Sequence, residues 1–226
     1  MSESNVDRLT DEVRRLAADF VIKPEERIRE GAMATELGVS RTPLREALNR
    51  LVAEGFLTFR GGQGFFCRAL TPDRIVELYE ARCAIECEGL RLTLDRASDA
   101  AIAELAGRTE QQQPEYERSQ DAIRLLELDE AFHRDLLALC GNAELSRMLD
   151  NINGRIRYVR MTDLKALRAG PESTAGVNDH LSILAAVSDR DAGDALPALR
   201  SHIEMRQEKA VQAVGNAFAQ IYVPQE

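Results

Sequence analysis

Two short predicted helices, separated by the three-residue turn Gly38-Val39-Ser40, constrain the fold of this 226-residue chain more than any other feature. Apolar residues recur at helical spacing over residues 30–37 and 41–54, and Gly38 between them is typical of a residue that ends a helix. A further helix is predicted over residues 7–20, before Pro24 interrupts the pattern. Three helices of this kind, with a tight turn between the last two, predict a helix-turn-helix domain.

A β-hairpin is predicted directly after the second helix of this pair. FLTFR at 56–60 and GFFCR at 64–68 are rich in residues that favour strands, and they flank a glycine-rich turn at 61–63. A hairpin in this position corresponds to the wing of a winged helix-turn-helix. We therefore expect such a domain over residues 1–70.

The second helix of the pair has the side-chain arrangement of a DNA recognition helix. Leu44 and Leu48 are expected to pack underneath, whereas the first turns expose polar side chains that could enter the major groove. Arginine can donate two hydrogen bonds to guanine and can also neutralise phosphate. The alternative is an ordinary solvated helix face. The predicted DNA contacts are Arg41, Thr42 and Arg45 in the first turns, Arg50 on a phosphate, and Gln63 and Gly64 at the wing tip.

The formal net charge of −9 argues against a nucleic-acid partner until its distribution along the chain is considered. Residues 1–70 hold 11 basic and 11 acidic side chains, whereas residues 71–226 hold 18 basic and 27 acidic ones. Within residues 39–68, five arginines outnumber two glutamates. The negative charge therefore belongs to the second part of the chain, and double-stranded DNA is compatible with the first.

The first part of the chain resembles a known family. ELGVSRTPLREALNRLVAEGFL at 36–57, followed by GGQGFFCR at 61–68, is similar to the GntR family of bacterial transcriptional regulators. The resemblance implies a set of DNA contacts, with the main base and phosphate contacts from Arg41 and Arg45, and with Thr42 and Gly64 near the DNA backbone.

Two positions depart from the pattern of that family. Glu25 stands where the family usually has glycine. The segment around Gly31 lacks an arginine that the family commonly carries there. We therefore expect that one DNA contact is missing or replaced.

From residue 71 onward the pattern is helical throughout. The run Thr71-Pro72-Asp73 has the residues of a strong helix start. Six helices are predicted, over 72–96, 99–116, 120–140, 143–168, 173–189 and 192–219. The expected fold class is therefore mostly α, a winged helix-turn-helix followed by a six-helix antiparallel bundle over residues 71–226.

The three histidines of the chain and one aspartate are candidates for a metal site. Asp129 and His133 are four residues apart on one predicted helix and share a face. His180 and His202 each lie 11 residues from the turn near Asp191, so both are about 16 Å from it in an antiparallel helix pair. One carboxylate and three imidazoles could hold Zn²⁺, Ni²⁺ or Mn²⁺ with open positions. A single histidine would more often be an ordinary core or surface residue.

The second part of the chain resembles a known domain as well. DEAFH at 129–133, HLSILAA at 180–186 and His202 are similar to the FCD ligand-binding domain, which defines the FadR subfamily of GntR regulators. Six helices rather than seven indicate the shorter, VanR-like branch. In this family a metal helps to hold a small organic acid, so the resemblance implies an effector of that class. It also implies a divalent transition metal on Asp129, His133, His180 and His202.

An acidic effector would need a cationic partner in the bundle. Arg82, in LYEARCAIE, matches an arginine typical of the first FCD helix, and a carboxylate could pair with its guanidinium. Asn151, Arg155 and Asn178 are weaker candidates, chosen because they are expected at the same level of the bundle. For each of them a solvated helix face is the alternative.

We further expect a homodimer. Its two winged heads would read a near-palindromic operator, because a protein with two-fold symmetry matches a DNA site with two-fold symmetry. Effector binding in this family usually causes loss of DNA binding, which is the behaviour of a repressor. Two alternatives remain. One is a metal-dependent enzyme with an appended DNA-binding head, and the other is a regulator whose metal is purely structural or is itself the signal.

The expected location is the cytoplasm. The N-terminus is polar and lacks the apolar region of a signal peptide, and no run approaches the roughly 20 apolar residues that a membrane helix needs. The four cysteines are scattered without a Cys-x-x-Cys pair, as in proteins of a reducing compartment. No membrane partner is expected.

Overall fold

The structure, a computed structural model, describes residues 5–169, 177–205 and 207–222. These residues form ten helices and two strands. The chain divides into two compact units. One unit ends at Thr71 and takes in the end of the last helix from Phe218, and the other spans Pro72–Ala217.

The first unit contains the helices and the hairpin that the sequence predicts. Its elements are α1 (Asn5–Ala18), α2 (Glu30–Glu36), α3 (Arg41–Ala53), β1 (Leu57–Arg60) and β2 (Gly64–Cys67). The strands are antiparallel, with Leu57 opposite Cys67. Gly38 follows α2 with a φ of +65°, a conformation that costs glycine little. Helix α1 ends two residues earlier than predicted, and Phe20 beyond it has a φ of +50°.

A short extended segment before α2 pairs with strand β2 of the hairpin. Arg27 forms an isolated antiparallel bridge with Phe66. The N–H of Ile28 donates to the carbonyl of Phe65 at 2.8 Å, and the N–H of Cys67 donates to that of Glu26 at 2.9 Å. The hairpin is thereby tied to the chain that enters α2.

The core of the first unit fixes the orientation of α3. Leu44 and Leu48 of α3 are fully buried, as predicted, together with Leu9 of α1 and Phe65 of β2. Burying a leucine or phenylalanine side chain contributes about 1.5–3 kcal/mol. Because its apolar side is held in this core, α3 exposes the opposite side to solvent.

Arg68 is a structural residue rather than part of an exposed basic surface. Its side chain is buried, its Nη1 donates to the carbonyl of Ala17 at 2.7 Å, and its guanidinium lies 4.4 Å from the centre of the Phe20 ring. The positive charge counted over residues 39–68 therefore overstates what the surface presents.

Helices alone make up the described part of the second unit. Its elements are α4 (Pro72–Arg96), α5 (Asp99–Arg118), α6 (Ala122–Ala138), α7 (Ala143–Ala169), α8 (Val177–Ser188), α9 (Ala192–Ile203) and α10 (Gln207–Tyr222). The side-chain oxygens of Ser98, Asp121 and Asp191 accept hydrogen bonds from first-turn N–H groups of α5, α6 and α9. No helix in the described ranges is long and apolar enough to cross a membrane.

The last predicted helix, over 192–219, is two helices in the structure. Helix α9 ends at Ile203, Glu204 has φ −57° and ψ 128°, and α10 begins at Gln207. Met205, in this break, is buried, so tertiary packing outweighs local helix propensity here. The described residues thus form seven helices after Thr71 rather than six.

Helix α4 packs against α6, α7 and α9. Gly89 permits a close approach of α6, because a Cβ at this position would overlap Cδ1 of Leu137. These two helices carry buried polar side chains, Arg82 and Glu86 on α4 and Asp129, Glu130 and His133 on α6.

Arg190, just after α8, donates hydrogen bonds to carbonyl groups at the C-terminal end of α4. Its Nη1 donates to the carbonyl of Leu94 at 2.9 Å, and its Nη2 donates to the carbonyl of Ala97 and to the carboxylate of Asp99, both at 2.6 Å. The last carbonyls of a helix have no partner within it, so these bonds cap α4. Arg190 does this with a φ of +58°.

Arg190→Ala is expected to lower the free energy of unfolding by about 2 kcal/mol, because charge-assisted hydrogen bonds to helix-end carbonyls are lost. Arg190→Gly loses the same bonds but relieves the positive φ, so it should be about 1 kcal/mol more stable than the alanine variant. Urea unfolding followed by circular dichroism measures both. Wild-type stability of the alanine variant would contradict the capping role.

Candidate metal centre and nucleic-acid interface

Four metal-binding side chains from three helices converge inside the second unit. Asp129 and His133 lie on α6, His180 on α8 and His202 on α9. One donor atom from each lies within 4.8 Å of the others. His202 is half-buried and the other three are buried. The residues that the sequence analysis grouped into one site are therefore close together in space.

Two of the separations between the donor atoms match those around a single ion. The Nε2 atoms of His180 and His202 are 3.0 Å apart, and Oδ1 of Asp129 lies 3.4 Å and 3.9 Å from them. Two ligand atoms that are each about 2.1 Å from a metal lie about 3.0 Å apart in octahedral and about 3.4 Å apart in tetrahedral coordination. Three imidazoles and one carboxylate suit Zn²⁺, Ni²⁺ or Mn²⁺.

Burial keeps the three histidines neutral, the state in which imidazole binds a metal. Burial lowers the pKa of His133, and the nearby Glu86 offsets this only in part. Burial and the adjacent His133 lower the pKa of His180 well below its ordinary value. Burial and the other two imidazoles lower the pKa of His202 to about 2.

A buried glutamate that the sequence analysis missed orients His133. Oε2 of Glu86 is 2.6 Å from Nδ1 of His133, and its Oε1 accepts a hydrogen bond from Nε of Arg82 at 2.5 Å. Burial alone would raise the pKa of Glu86, but Arg82 and His133 lower it to about 2. The ionised carboxylate can only accept, so Nδ1 of His133 carries the proton and Nε2 keeps its lone pair for a metal.

Asp129 is held at its other oxygen by a second missed residue, Arg160 of α7. Nη2 of Arg160 donates to Oδ2 of Asp129, whereas Oδ1 is the atom close to His180 and His202. Nη1 of Arg160 lies 3.4 Å from Oδ1 of Asn153. Asp129 can therefore offer Oδ1 to a metal while Arg160 fixes the orientation of the carboxylate.

A cavity of about 280 Å³ opens beside the four donors. Its walls carry charged side chains of both signs, three cationic ones (Arg82, Arg160 and Lys209) and four acidic ones (Asp129, Asp163, Asp179 and Glu204). Arg82 is only 3% exposed, and its Nη2 is buried without a hydrogen-bond partner among the described residues. Leaving a buried donor unsatisfied costs about 1–3 kcal/mol. A ligand oxygen at this position would remove that cost.

Among the four predicted effector contacts, Arg82 lines this cavity, whereas Asn151 and Arg155 of α7 do not. Asn178 falls in α8, and its side chain lies outside the described residues. Arg155 is five residues from Arg160, which is about 140° around a helix. Residues chosen by their height in the bundle therefore lie on a different side of α7 from Arg160.

Of the residues that the sequence analysis missed, some could have been found from their spacing in the sequence and others could not. Glu86 follows Arg82 by four residues, a spacing that places both on one face of a helix. Lys209 lies on α10 and pairs with Asp163 at 3.5 Å. That pair left no local signal, since it depends on how α7 and α10 pack.

In the first unit, α3 brings three of the predicted DNA contacts together. Arg41, Thr42 and Arg45 line one surface concavity of about 520 Å³ with Glu30 of α2. Arg45 is 58% exposed, and its Nη1 lies 4.0 Å from the Glu30 carboxylate. These side chains are accessible to a ligand as large as DNA.

The remaining predicted DNA contacts lie elsewhere on the same unit. Arg50 forms ion pairs with Asp7 at 2.7 Å and with Glu46 at 2.9 Å, so a phosphate would have to compete with two carboxylates. Gln63 and Gly64 lie at the tip of the hairpin, where Gly64 has a φ of +97° that favours glycine.

The two departures from the expected sequence pattern have structural counterparts. Glu25 has a φ of +60°, a conformation that favours glycine, and its carboxylate lies 2.9 Å from Nη2 of Arg60. Nη2 of Arg41 lies 2.9 Å from the position that a Cβ at Gly31 would occupy. Gly31 therefore leaves room for the guanidinium of Arg41.

Comparison with family models assigns both parts of the chain. Residues 5–67 match the model of the bacterial regulatory proteins of the gntR family, and residues 77–205 match the model of the FCD domain. The matches follow each other in the order of the two units.

Curated relatives support the same assignment. The chain is 37% identical to the Nta operon transcriptional regulator of Aminobacter aminovorans over 92% of this chain and 95% of that protein. It is 25% identical to the transcriptional repressor GlaR of Escherichia coli K12, over 85% of this chain and 91% of that protein. These are names of transcriptional regulators, and the chain is a regulator rather than an enzyme.

Solved structures share the fold. Escherichia coli McbR/YncC aligns with a TM-score of 0.69 at 20% identity, over 97% of this chain and 99% of that chain. A GntR regulator from Rhodococcus sp. RHA1 aligns with a TM-score of 0.65 at 20% identity, over 94% of this chain and 99% of that one. With two family models matched in order and a close relative over almost its full length, the chain belongs to the GntR family of bacterial transcriptional regulators, with an FCD domain as its second domain.

Proposed function

We propose that this regulator is a cytoplasmic repressor of the FadR subfamily, active as a homodimer on operator DNA. A small organic acid, bound at a divalent transition metal in the bundle, lowers its affinity for the operator. The relatives named GlaR and RspR are transcriptional repressors, which supports this direction of control. The relative named for the Nta operon supports control of an operon.

One observation carries the effector part of the proposal. The Arg82 guanidinium, buried in the cavity wall, has an Nη2 without a partner among the described residues, beside four metal donors. A carboxylate oxygen is a strong acceptor for such an N–H. An anion in this cavity would be bound at two kinds of position, the guanidinium and the metal site.

The residues of the chain would each have a defined part. Asp129, His133, His180 and His202 would hold the metal. When bound, the metal would supply a Lewis-acidic position for an oxygen of the acid. Glu86 would keep Arg82 and His133 in place, and Arg160 would fix Asp129. Arg82 would donate from Nη2 to the acid.

The first unit would bind DNA through α3 and the wing. Arg41, Thr42 and Arg45 would enter the major groove, while Gln63 and Gly64 would approach the duplex backbone. Arg50 would add a phosphate contact if its ion pairs open. An effector can shift DNA affinity only if it binds one arrangement of the two heads better than another.

Arg45→Ala should weaken operator binding by about 5- to 150-fold, the range for losing an arginine contact to a guanine. Fluorescence anisotropy at fixed salt, on DNA selected by the wild-type protein, measures this. Arg50→Ala is the matched control and should have a smaller effect, because Asp7 and Glu46 already engage that side chain. An unchanged affinity of Arg45→Ala would remove the role of α3.

The double variant His133→Ala/His180→Ala should contain no stoichiometric metal after purification, as elemental analysis would show. Glu86→Gln keeps all four ligands and should bind Zn²⁺ about 10- to 100-fold more weakly, because it removes the charge that orients His133. Competition with a chromophoric chelator measures this affinity. Stoichiometric metal in the double variant would refute the site.

Arg82→Lys tests the effector contact while preserving a cation beside Glu86. A panel of small hydroxy acids and dicarboxylic acids is screened for a rise in the wild-type melting temperature, since a ligand of the native state stabilises it. The lysine variant should need at least about tenfold more acid for the same rise, the loss expected for one charge-assisted bond. Equal titrations would refute the contact. No response of the wild type to any acid would favour a purely structural metal.

A further inference from the structure

The side of α3 that exposes Arg41, Thr42 and Arg45 continues along the helix beyond these three residues. Successive residues of an α-helix are about 100° apart, so Asn49 is rotated by only about 40° from Arg45. Arg50 is rotated by about 140° from Arg45 and therefore points to a different side. Asn49 shares a face with Arg41 and Arg45, whereas Arg50 does not.

The surface of the first unit agrees with this helix geometry. The concavity that Arg41, Thr42 and Arg45 line continues to Asn49, which is exposed. Arg50 is not among its lining residues. We call the exposed side of α3 formed by Arg41, Thr42, Arg45 and Asn49 the groove face.

The side chains on α3 also differ in what already engages them. Arg50 is paired with Asp7 and Glu46. The Asn49 amide, in contrast, forms no hydrogen bond with any residue that the structure describes. Both its donor and its acceptor are therefore available to a ligand in front of the groove face.

An amide that is free on this face has a specific chemical counterpart in DNA. Asparagine can accept from N6 of adenine and donate to N7 of the same base in the major groove. Asn49 lies about 6 Å along the helix from Arg45, a distance of about two base-pair steps.

We propose that Asn49 contacts an adenine in the major groove and determines the base preference at one position in each half-site. This rests on the proposed binding of DNA through α3. Arg45 and Asn49 would then specify neighbouring parts of one half-site, whereas Arg50 would carry no sequence preference.

Selection of DNA from a random pool tests this directly, because the protein itself chooses the sequences that it binds. The wild type, Asn49→Ala and Arg50→Ala are used in parallel as full-length proteins. The Asn49→Ala protein should select the wild-type motif except at one position per half-site, where its preference for adenine should fall by about 5- to 150-fold. The Arg50→Ala protein should select the unchanged motif.

Asn49→Asp provides a second and opposite test. A carboxylate can only accept hydrogen bonds, so it should favour cytosine, whose N4 donates, at the same position. Asn49 is exposed, and circular dichroism of both variants checks that the fold is retained. A shift from adenine to cytosine confined to that position would support the contact.

The contrary outcomes are distinct. An Asn49→Ala motif identical to the wild-type motif at every position would overturn the proposal. Uniform weakening across sequences, with a shallower salt dependence, would identify a phosphate contact and overturn it as well. If Arg45→Ala also selects the wild-type motif, or if the wild type selects no motif, the proposed role of α3 itself fails.

Discussion

A single buried carboxylate, that of Glu86, links the two kinds of binding group in the bundle. It holds His133 at one oxygen and Arg82 at the other, and both of these residues line the cavity. The charge of Glu86 is tolerated inside the protein because both partners stabilise it. The close approach of α4 and α6 at Gly89 brings His133 within reach of Glu86, whereas Arg82 lies on the same helix as Glu86.

The buried metal-binding residues are likewise either neutral or paired with an opposite charge. Burial favours neutral imidazoles, and Arg160 balances the carboxylate of Asp129. A divalent ion would thus add positive charge to a cavity that already contains Arg82, Arg160 and Lys209. Four carboxylates line the same cavity, however, and those of Asp129 and Asp163 pair with Arg160 and Lys209. The buried Nη2 of Arg82, which has no partner among the described residues, is therefore the feature that favours an acid over a neutral effector.

Exposure and pairing, rather than charge count, distinguish the basic residues of the first unit. Arg68 is buried under Phe20, and Arg50 and Arg60 are paired with carboxylates. Arg41 and Arg45 lie on the exposed side of α3, where the contact of Arg45 with Glu30 is longer, at 4.0 Å. The helix pattern of the sequence was sufficient to identify these two arginines, because exposure on a regular helix follows its period. It could not reveal the pairing of Arg50 with Asp7, which lies 43 residues away.

Local sequence was enough to establish the order of most helices, the winged head and the grouping of Asp129 with three histidines. The helices and the grouping of the metal-binding residues follow from the constant rise and period of the helix. The wing follows from two runs of strand-favouring residues on either side of a glycine-rich turn. Packing between helices, in contrast, selected the side of α7 that faces the cavity, favouring Arg160 over Arg155, and the point where the chain breaks before α10. It also placed Glu86 as a bridge between two functional residues. The spacing of Arg82 and Glu86 was visible in the sequence, but the contact of Glu86 with His133 was not. Contacts between helices that are distant in sequence leave no periodic signal along the chain.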